Sequence, residues 1–358
     1  MIRVTKPFLP PIHEYQRLVQ EIWDREYLTN DGPVVRKLED RLNAYLGTDY
    51  ISLVTNGTIA LQLAIKALEL EGEIITTPFS YVATTSSIVW ENCTPIFADI
   101  DQDTFNISPN NIEKLITKRT SAIIATHVFG NPCEIDTIQQ IADKYNLKVI
   151  YDAAHCFASQ YKEKSIFSYG DISTASFHAT KIFHTVEGGA VFSSTEALKT
   201  CIDYMRNFGH DGPAKFNGVG INGKNSELHA AMGLTVLNHI DEILETRKRQ
   251  SEYYTQKLSN LPIHFQRINE DADQFNYAYF PIVLKKEGII NNVIHALEEN
   301  NIYPRRYFYP SLSELEYVNG HCPVSDYVSE QILCLPLYHT LSMEEQDQII
   351  FTLRTVLS

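Results

Sequence analysis

The chain is poor in cysteine and in positive charge, and it has no long apolar run. Each shortage excludes something. Its six cysteines (Cys93, Cys133, Cys156, Cys201, Cys322 and Cys334) form no Cys-x-x-Cys pair and have no histidine at finger spacing. That argues against a disulfide framework and against structural zinc, so no metal is expected. Thirty Lys and Arg stand against 44 Asp and Glu, a formal net charge of −14. A balance this acidic disfavours a nucleic-acid-binding surface. No stretch approaches the roughly 18 apolar residues of a membrane-spanning helix, so no membrane partner is expected. The opening Met1-Ile2-Arg3-Val4-Thr5-Lys6-Pro7 lacks the apolar core of a signal peptide. Without such a signal, the Asn-x-Ser/Thr triplets at Asn56, Asn92 and Asn106 carry no glycosylation argument, and a reduced, cytoplasmic protein is expected. The motifs GxxxxGK[ST], GxSxG and HExxH are also missing, and with them the usual warrants for a nucleotide triphosphatase, an esterase or a zincin.

What is present is length and core material. At 358 residues, 44% of them hydrophobic, the chain suits a large α/β domain followed by a smaller one. Short β-branched runs at 50–54, 74–77, 95–99, 122–126, 148–151 and 173–177 read as strands. Helical periodicity fills 58–70, 80–90, 109–117 and 135–146 between them. This alternation predicts a mostly parallel sheet with helices on both faces, and active groups at the carboxyl ends of its strands. A further strand at 190–193 and a helix at 194–207 precede a loop at 209–224 rich in Gly, Asn and Pro. Residues 225–259 read as one long helix bridging to the second unit. A strand at 277–283 and helices at 289–300 and 343–357 then suggest a small α+β cap. The expected division is 1–240 for the large domain and 241–358 for the small one.

Four segments carry chemistry. In Ser176-Phe177-His178-Ala179-Thr180-Lys181 a strand-like run ends in a hydroxyl residue, and Lys181 follows five positions later, ahead of Gly188-Gly189. A lysine flanked there by aromatics and small residues can be desolvated into a nucleophile, although a surface lysine in a loop has the same sequence. Upstream, the buried-looking run at 148–152 ends in Asp152. A carboxylate there is costly unless it meets a cation such as a pyridinium nitrogen; capping the next segment is the alternative. Asn56-Gly57-Thr58 forms a strand–turn–helix junction whose amides suit an anion, or an ordinary helix cap. Thr77-Pro78-Phe79-Ser80-Tyr81 presents aromatics at the same sheet edge, suited to stacking on a flat ring or to core packing. Against these stands Gly218-Val219-Gly220-Ile221-Asn222-Gly223, a literal GxGxxG. No buried strand precedes it and no βαβ unit follows, so the dinucleotide reading fails on context.

Taken together, these segments resemble the DegT/DnrJ-type sugar-nucleotide aminotransferases. The resemblance runs nearly end to end. It starts at Trp23…Leu28-Thr29-Asn30-Asp31-Gly32-Pro33 and passes through Asn56-Gly57-Thr58, Thr77-Pro78…Tyr81, His127-Val128-Phe129-Gly130, Asp152-Ala153-Ala154-His155 and Ser176…Lys181…Glu187-Gly188-Gly189. Gly220–Ala231 and Leu335-Pro336-Leu337-Tyr338 complete it. Such a resemblance implies a fold-type I enzyme: a large domain on a mostly parallel seven-stranded sheet, a small C-terminal α+β domain, and pyridoxal 5′-phosphate as cofactor. It implies that Lys181 forms the Schiff base and shuttles protons, that Asp152 pairs with the pyridine nitrogen, and that His155 lies near the ring hydroxyl. Tyr81 would stack on the ring, while Gly57, Thr58 and Ser176 hold the phosphate. Asn222 would reach the phosphate from the neighbouring subunit of a homodimer. Lys224 departs from the pattern, standing where the family commonly has Arg. Thr29 and Asn30, and the segment holding Arg305, Arg306, Tyr307 and Tyr309, fall where relatives line the sugar-nucleotide site.

The implied reaction is ping-pong transamination: L-glutamate leaves its nitrogen as pyridoxamine phosphate, which then aminates a nucleotide-linked keto-sugar. A dehydratase of the same fold replaces the Schiff-base lysine by histidine, and Lys181 argues for transamination. A non-catalytic regulator that binds a ligand or DNA is opposed by the charge and by the lack of a helix-turn-helix signal. Residues 4–11 and 305–310 look most like the branch that makes dTDP-4-amino-4,6-dideoxyglucose. The expected substrate is therefore dTDP-4-keto-6-deoxyglucose, destined for surface polysaccharide such as lipopolysaccharide O-antigen. A 3-keto-6-deoxyhexose or a UDP-linked 4-keto sugar is the alternative.

Overall fold

The computed structural model describes residues 1–318 and 320–357. Seven strands build the main sheet: β1 (Ile51–Val54), β2 (Glu73–Thr76), β3 (Thr94–Phe97), β4 (Thr120–Thr126), β5 (Lys148–Asp152), β6 (Ile172–Ser176) and β7 (Gly189–Ser193), in the order β1-β7-β6-β5-β4-β2-β3. Only β7 runs antiparallel to its neighbours; the other pairings are parallel. The β-branched runs explain this arrangement, because strands such as β1 are buried along their whole length, as a sheet covered on both faces requires. Register then lines up chemistry. Thr126, Asp152 and Thr174 lie side by side on β4, β5 and β6, at or near the carboxyl ends.

The helices that share the core of this sheet include α1 (Ile12–Arg25), α2 (Pro33–Leu46), α3 (Gly57–Ala67), α4 (Val82–Trp90), α5 (Ile135–Tyr145), α6 (Glu196–Met205) and α7 (Glu227–Leu237), with α1 packed on α7. The expected single helix over 225–259 is two: α7 ends at Leu237, and α8 (Ile240–Leu258) starts after a break at Asn238-His239. The break is physical. Residues of α7 are buried almost all round, whereas α8 is amphipathic, so the two cannot share one straight axis against the same core.

A second core gathers around β8 (Ile263–Phe265), β9 (Phe280–Leu284) and β10 (Ile332–Leu335), which form a three-stranded antiparallel sheet in that order. The strand expected from Tyr277 begins at Phe280, because Tyr277 has a left-handed backbone (φ 53°). Helices α9 (Ile290–Glu299), α10 (Pro323–Gln331) and α11 (Met343–Leu357) complete this part of the chain. Helix α8 serves both cores: Ile240 and Ile243 pack into the main one, Tyr254 and Leu258 into the second. The N-terminus also joins the second core, since Ile2 and Arg3 pair in parallel with Ile302 and Tyr303. No helix among the described residues is long and apolar enough to cross a membrane.

Candidate active site

The strand ends open into a cleft of about 600 Å³ that reaches from the main sheet to the 305–308 segment. Its floor is Asp152, the last residue of β5 and only 5% exposed. Thr84 donates to one carboxylate oxygen at 2.6 Å and the Ala154 amide to the other at 3.2 Å. Burial pushes the Asp152 pKa up; the Thr84 hydroxyl, the Ala154 amide and nearby Lys181 pull against it.

Lys181 stands in the loop between β6 and β7. Two hydrogen bonds close the base of that loop, Phe177 N–H to Gly188 O at 2.8 Å and Thr185 N–H to Phe177 O at 2.9 Å. Phe157, Phe177 and Phe183 anchor it, with Phe157 and Phe183 stacked at 4.4 Å. The double glycine is a packing requirement. A Cβ on Gly188 would lie 1.9 Å from Thr185 Oγ1, and one on Gly189 would lie 2.5 Å from the Asn56 carbonyl carbon. Desolvation lowers the Lys181 ammonium pKa, partly opposed by Asp152. A larger share of reactive amine at a given pH is the result. Tyr279 accepts from Lys181 Nζ at 3.5 Å.

The turn into α3 forms the next wall. Asn56 caps the helix by accepting from the Ile59 amide at 2.9 Å, which leaves the first amides of α3 at the cleft. Gly57 sits close enough to Ser176 that a Cβ would come within 3.0 Å of the Ser176 Cβ. His155 accepts the Phe129 amide on Nδ1 at 3.3 Å, so the neutral ring carries its proton on Nε2. Burial holds its pKa well below the usual 6.5. Tyr81 is 61% exposed at the mouth, a free ring face beside the floor.

Of the residues singled out from sequence, Gly57, Thr58, Tyr81, Asp152, His155, Ser176, Lys181, Arg305 and Tyr307 line this one cleft. Five others do not. Thr29 and Asn30 are exposed just before α2. Asn222 is exposed in the 209–224 loop, where Lys224 donates to its Oδ1 at 2.8 Å. Arg306 turns away to the end of α10, bonding the Ser329 and Glu330 carbonyls and the Glu330 carboxylate, and Tyr309 lies under its guanidinium at 3.3 Å. Val4, Ser80 and His178 also line the cleft; they lie in segments the sequence pointed to, but with no role of their own. Thr126 and Tyr279 line it too and were legible only as parts of strand-like runs, which carry no mark of a site.

Residues 12–354 match the DegT/DnrJ/EryC1/StrS aminotransferase family. The chain belongs to that family. Over 362 residues, 99% of each chain, it is 42% identical to the dTDP-4-amino-4,6-dideoxy-D-glucose transaminase of Shigella dysenteriae. It is 39% identical over 358 residues to the Escherichia coli transaminase of that name, covering 96% of this chain and 95% of the other. Among solved structures, DesI in the presence of its TDP-sugar product superposes with a TM-score of 0.93 at 30% identity, over 99% of this chain and 92% of that one.

Aminotransferases of the DegT family depend on pyridoxal phosphate, and the cleft fits that group. Asp152 is a buried carboxylate with no ion-pair partner among the described residues, which suits a pyridinium. Helix α3 presents free amides to an anion beside a glycine that keeps Ser176 close. Lys181 supplies a desolvated amine on the same cleft.

Proposed function

We propose that the protein transfers the amino group of L-glutamate to dTDP-4-keto-6-deoxyglucose, giving 2-oxoglutarate and the equatorial 4-amino-4,6-dideoxy sugar nucleotide. The observation that carries the substrate is the 42% identity, end to end, with a transaminase named for that product. What the cofactor supplies when bound is a carrier for the amino group and a ring that accepts the electron pair left by proton loss. The protein's own residues do the rest. Lys181 Nζ takes the proton from the α-carbon of glutamate and later returns a proton to C4 of the sugar, a positioned acid–base step worth roughly 10²–10⁴-fold. With the cofactor bound, Asp152 would hold the pyridine nitrogen, His155 would serve the ring hydroxyl and Tyr81 the ring face, and Gly57, Thr58 and Ser176 would hold the phosphate.

Arg305 is exposed on the cleft wall with the Tyr307 ring 5.6 Å from its guanidinium, and it makes no ion pair among the described residues. That combination suits a diphosphate and an adjoining base. Thr29, Asn30, Asn222, Arg306 and Tyr309 lie outside the cleft of a single chain. In the proposed cytoplasmic homodimer, Asn222 completes the phosphate site of the partner, and residues 29–30 and 306–309 border the sugar-nucleotide path. The large domain is taken to end at residue 240 and the small one to span 241–358.

NMR of the product formed from glutamate and dTDP-4-keto-6-deoxyglucose tests the reading. An equatorial amine at C4 is expected. An axial amine would move the enzyme to the galacto-configured branch, and turnover of a 3-keto sugar alone would overturn the C4 assignment.

A further inference from the structure

Three hydroxyls run in a line to the floor of the cleft. Thr84, on the first turn of α4, donates to Asp152 Oδ2 at 2.6 Å. Ser80 lies 2.7 Å from the Thr84 hydroxyl, and Thr126, at the end of β4 and opposite Asp152 in register, donates to Ser80 at 3.1 Å. All four side chains are nearly sealed: Thr84 is 0% exposed, Ser80 2%, Thr126 3% and Asp152 5%.

The direction of this chain follows from counting protons. An ionised carboxylate only accepts, so Thr84 spends its single proton on Asp152. Ser80 must then donate to Thr84, and Thr126 to Ser80. Every proton finds an acceptor. With Asp152 protonated on Oδ2 and the chain reversed, the Thr126 proton would have no hydrogen-bond acceptor among the described residues. The distances lengthen away from the carboxylate, from 2.6 to 2.7 to 3.1 Å, as expected when a charge polarises successive hydroxyls.

We propose that Thr84, Ser80 and Thr126 form a one-way hydroxyl chain that holds Asp152 ionised and so keeps the proton on the pyridine nitrogen of the cofactor. The three are positioning residues acting through Asp152, and the proposal rests on Asp152 facing that nitrogen. Removing the donor makes the carboxylate more basic, which draws the shared proton away from the ring. A hydrogen bond to a charged group is strong enough to shift the ring's proton equilibrium about tenfold.

The test is the ¹⁵N NMR resonance of ring-labelled pyridoxal phosphate in the full-length holoenzyme. The wild type should show a pyridinium. Thr84→Val should move the resonance towards neutral pyridine, Ser80→Ala should move it less in the same direction, and Thr84→Ser, which keeps the hydroxyl, should restore the wild-type position. If Asp152→Asn moves the resonance but Thr84→Val and Ser80→Ala do not, the hydroxyl chain is refuted while the role of Asp152 stands. If Asp152→Asn leaves it unmoved, the chain falls because Asp152 is not the partner of the nitrogen. Should Thr84→Val fail to fold or to hold cofactor, Ser80→Ala decides alone, since Ser80 makes no hydrogen bond to Asp152.

Discussion

Replacing Arg206 by methionine should damage this protein more than any loss of an exposed ion pair. Arg206 follows the last residue of α6, is 5% exposed, and makes four polar contacts. It donates to Glu39 Oε1 and to the Leu53 carbonyl, both at 2.7 Å, and pairs with Asp203 at 2.9 Å and Asp31 at 3.3 Å. In the variant, Glu39 would remain buried in α2 with one donor left, the Leu53 amide at 2.8 Å. Stranding one member of a buried pair costs about 3–5 kcal/mol, whereas the half-exposed Asp31 adds little. The pH dependence has a definite sign. Burial already raises the Glu39 pKa above 4.5 against the pull of Arg206, and without the arginine it rises further. The folded state then binds more protons than the unfolded one above about pH 4.5, so stability falls as pH rises. The deficit against wild type should thus be largest near neutrality and shrink on acidification. Urea unfolding followed by circular dichroism, near pH 7 and near pH 5, measures both. The double variant Arg206→Met/Glu39→Gln should recover most of the loss, because the pair is then removed whole. A loss below about 1 kcal/mol at neutral pH, the scale of an exposed pair, or a loss equal at both pH values would refute this account.

Borohydride reduction should fix the cofactor on Lys181, and Lys181→Ala should lose transamination; label on Lys162, Lys164 or Lys199 would contradict the assignment. In cofactor-free protein, competitive acetylation of Lys181 should titrate below the ordinary 10.5, in line with its lowered pKa; titration at or above that value would count against desolvation. Mixing a Lys181→Ala subunit with one carrying a severely impaired Asn222 substitution should restore activity, since each heterodimer keeps one intact site, and proven heterodimers without activity would exclude a shared site. Gly57→Val should weaken cofactor binding about tenfold in equilibrium dialysis, because even a Cβ there approaches Ser176 to 3.0 Å; unchanged affinity would remove α3 from the phosphate site.

Much of this molecule was legible in local pattern. Alternating β-branched runs and amphipathic stretches located six of the seven main strands directly and suggested the seventh, since buried parallel strands and their covering helices have distinct periods. Lys181, Asp152 and the Asn56–Thr58 turn were found because each stands where a strand ends, and parallel strands bring their carboxyl ends to one edge. The break between α7 and α8 was not legible, because Asn238-His239 carries neither proline nor glycine and is imposed by packing. Nor was the pairing of Ile2 and Arg3 with residues some three hundred positions away. That strand is two residues long and has no period of its own.

The sequence by itself determined the order of elements, the family, and which ionisable side chains sit at strand ends, since these depend on short-range pattern and motif spacing. Only the tertiary structure decided which groups meet. Thr126 faces Asp152 through sheet register, and Thr84 reaches the same carboxylate from a helix 68 residues upstream. Arg305 enters the cleft while its neighbour Arg306 turns to the end of α10. Adjacent residues in an extended segment point to opposite sides, and only packing against the rest of the fold settles which side the cleft occupies.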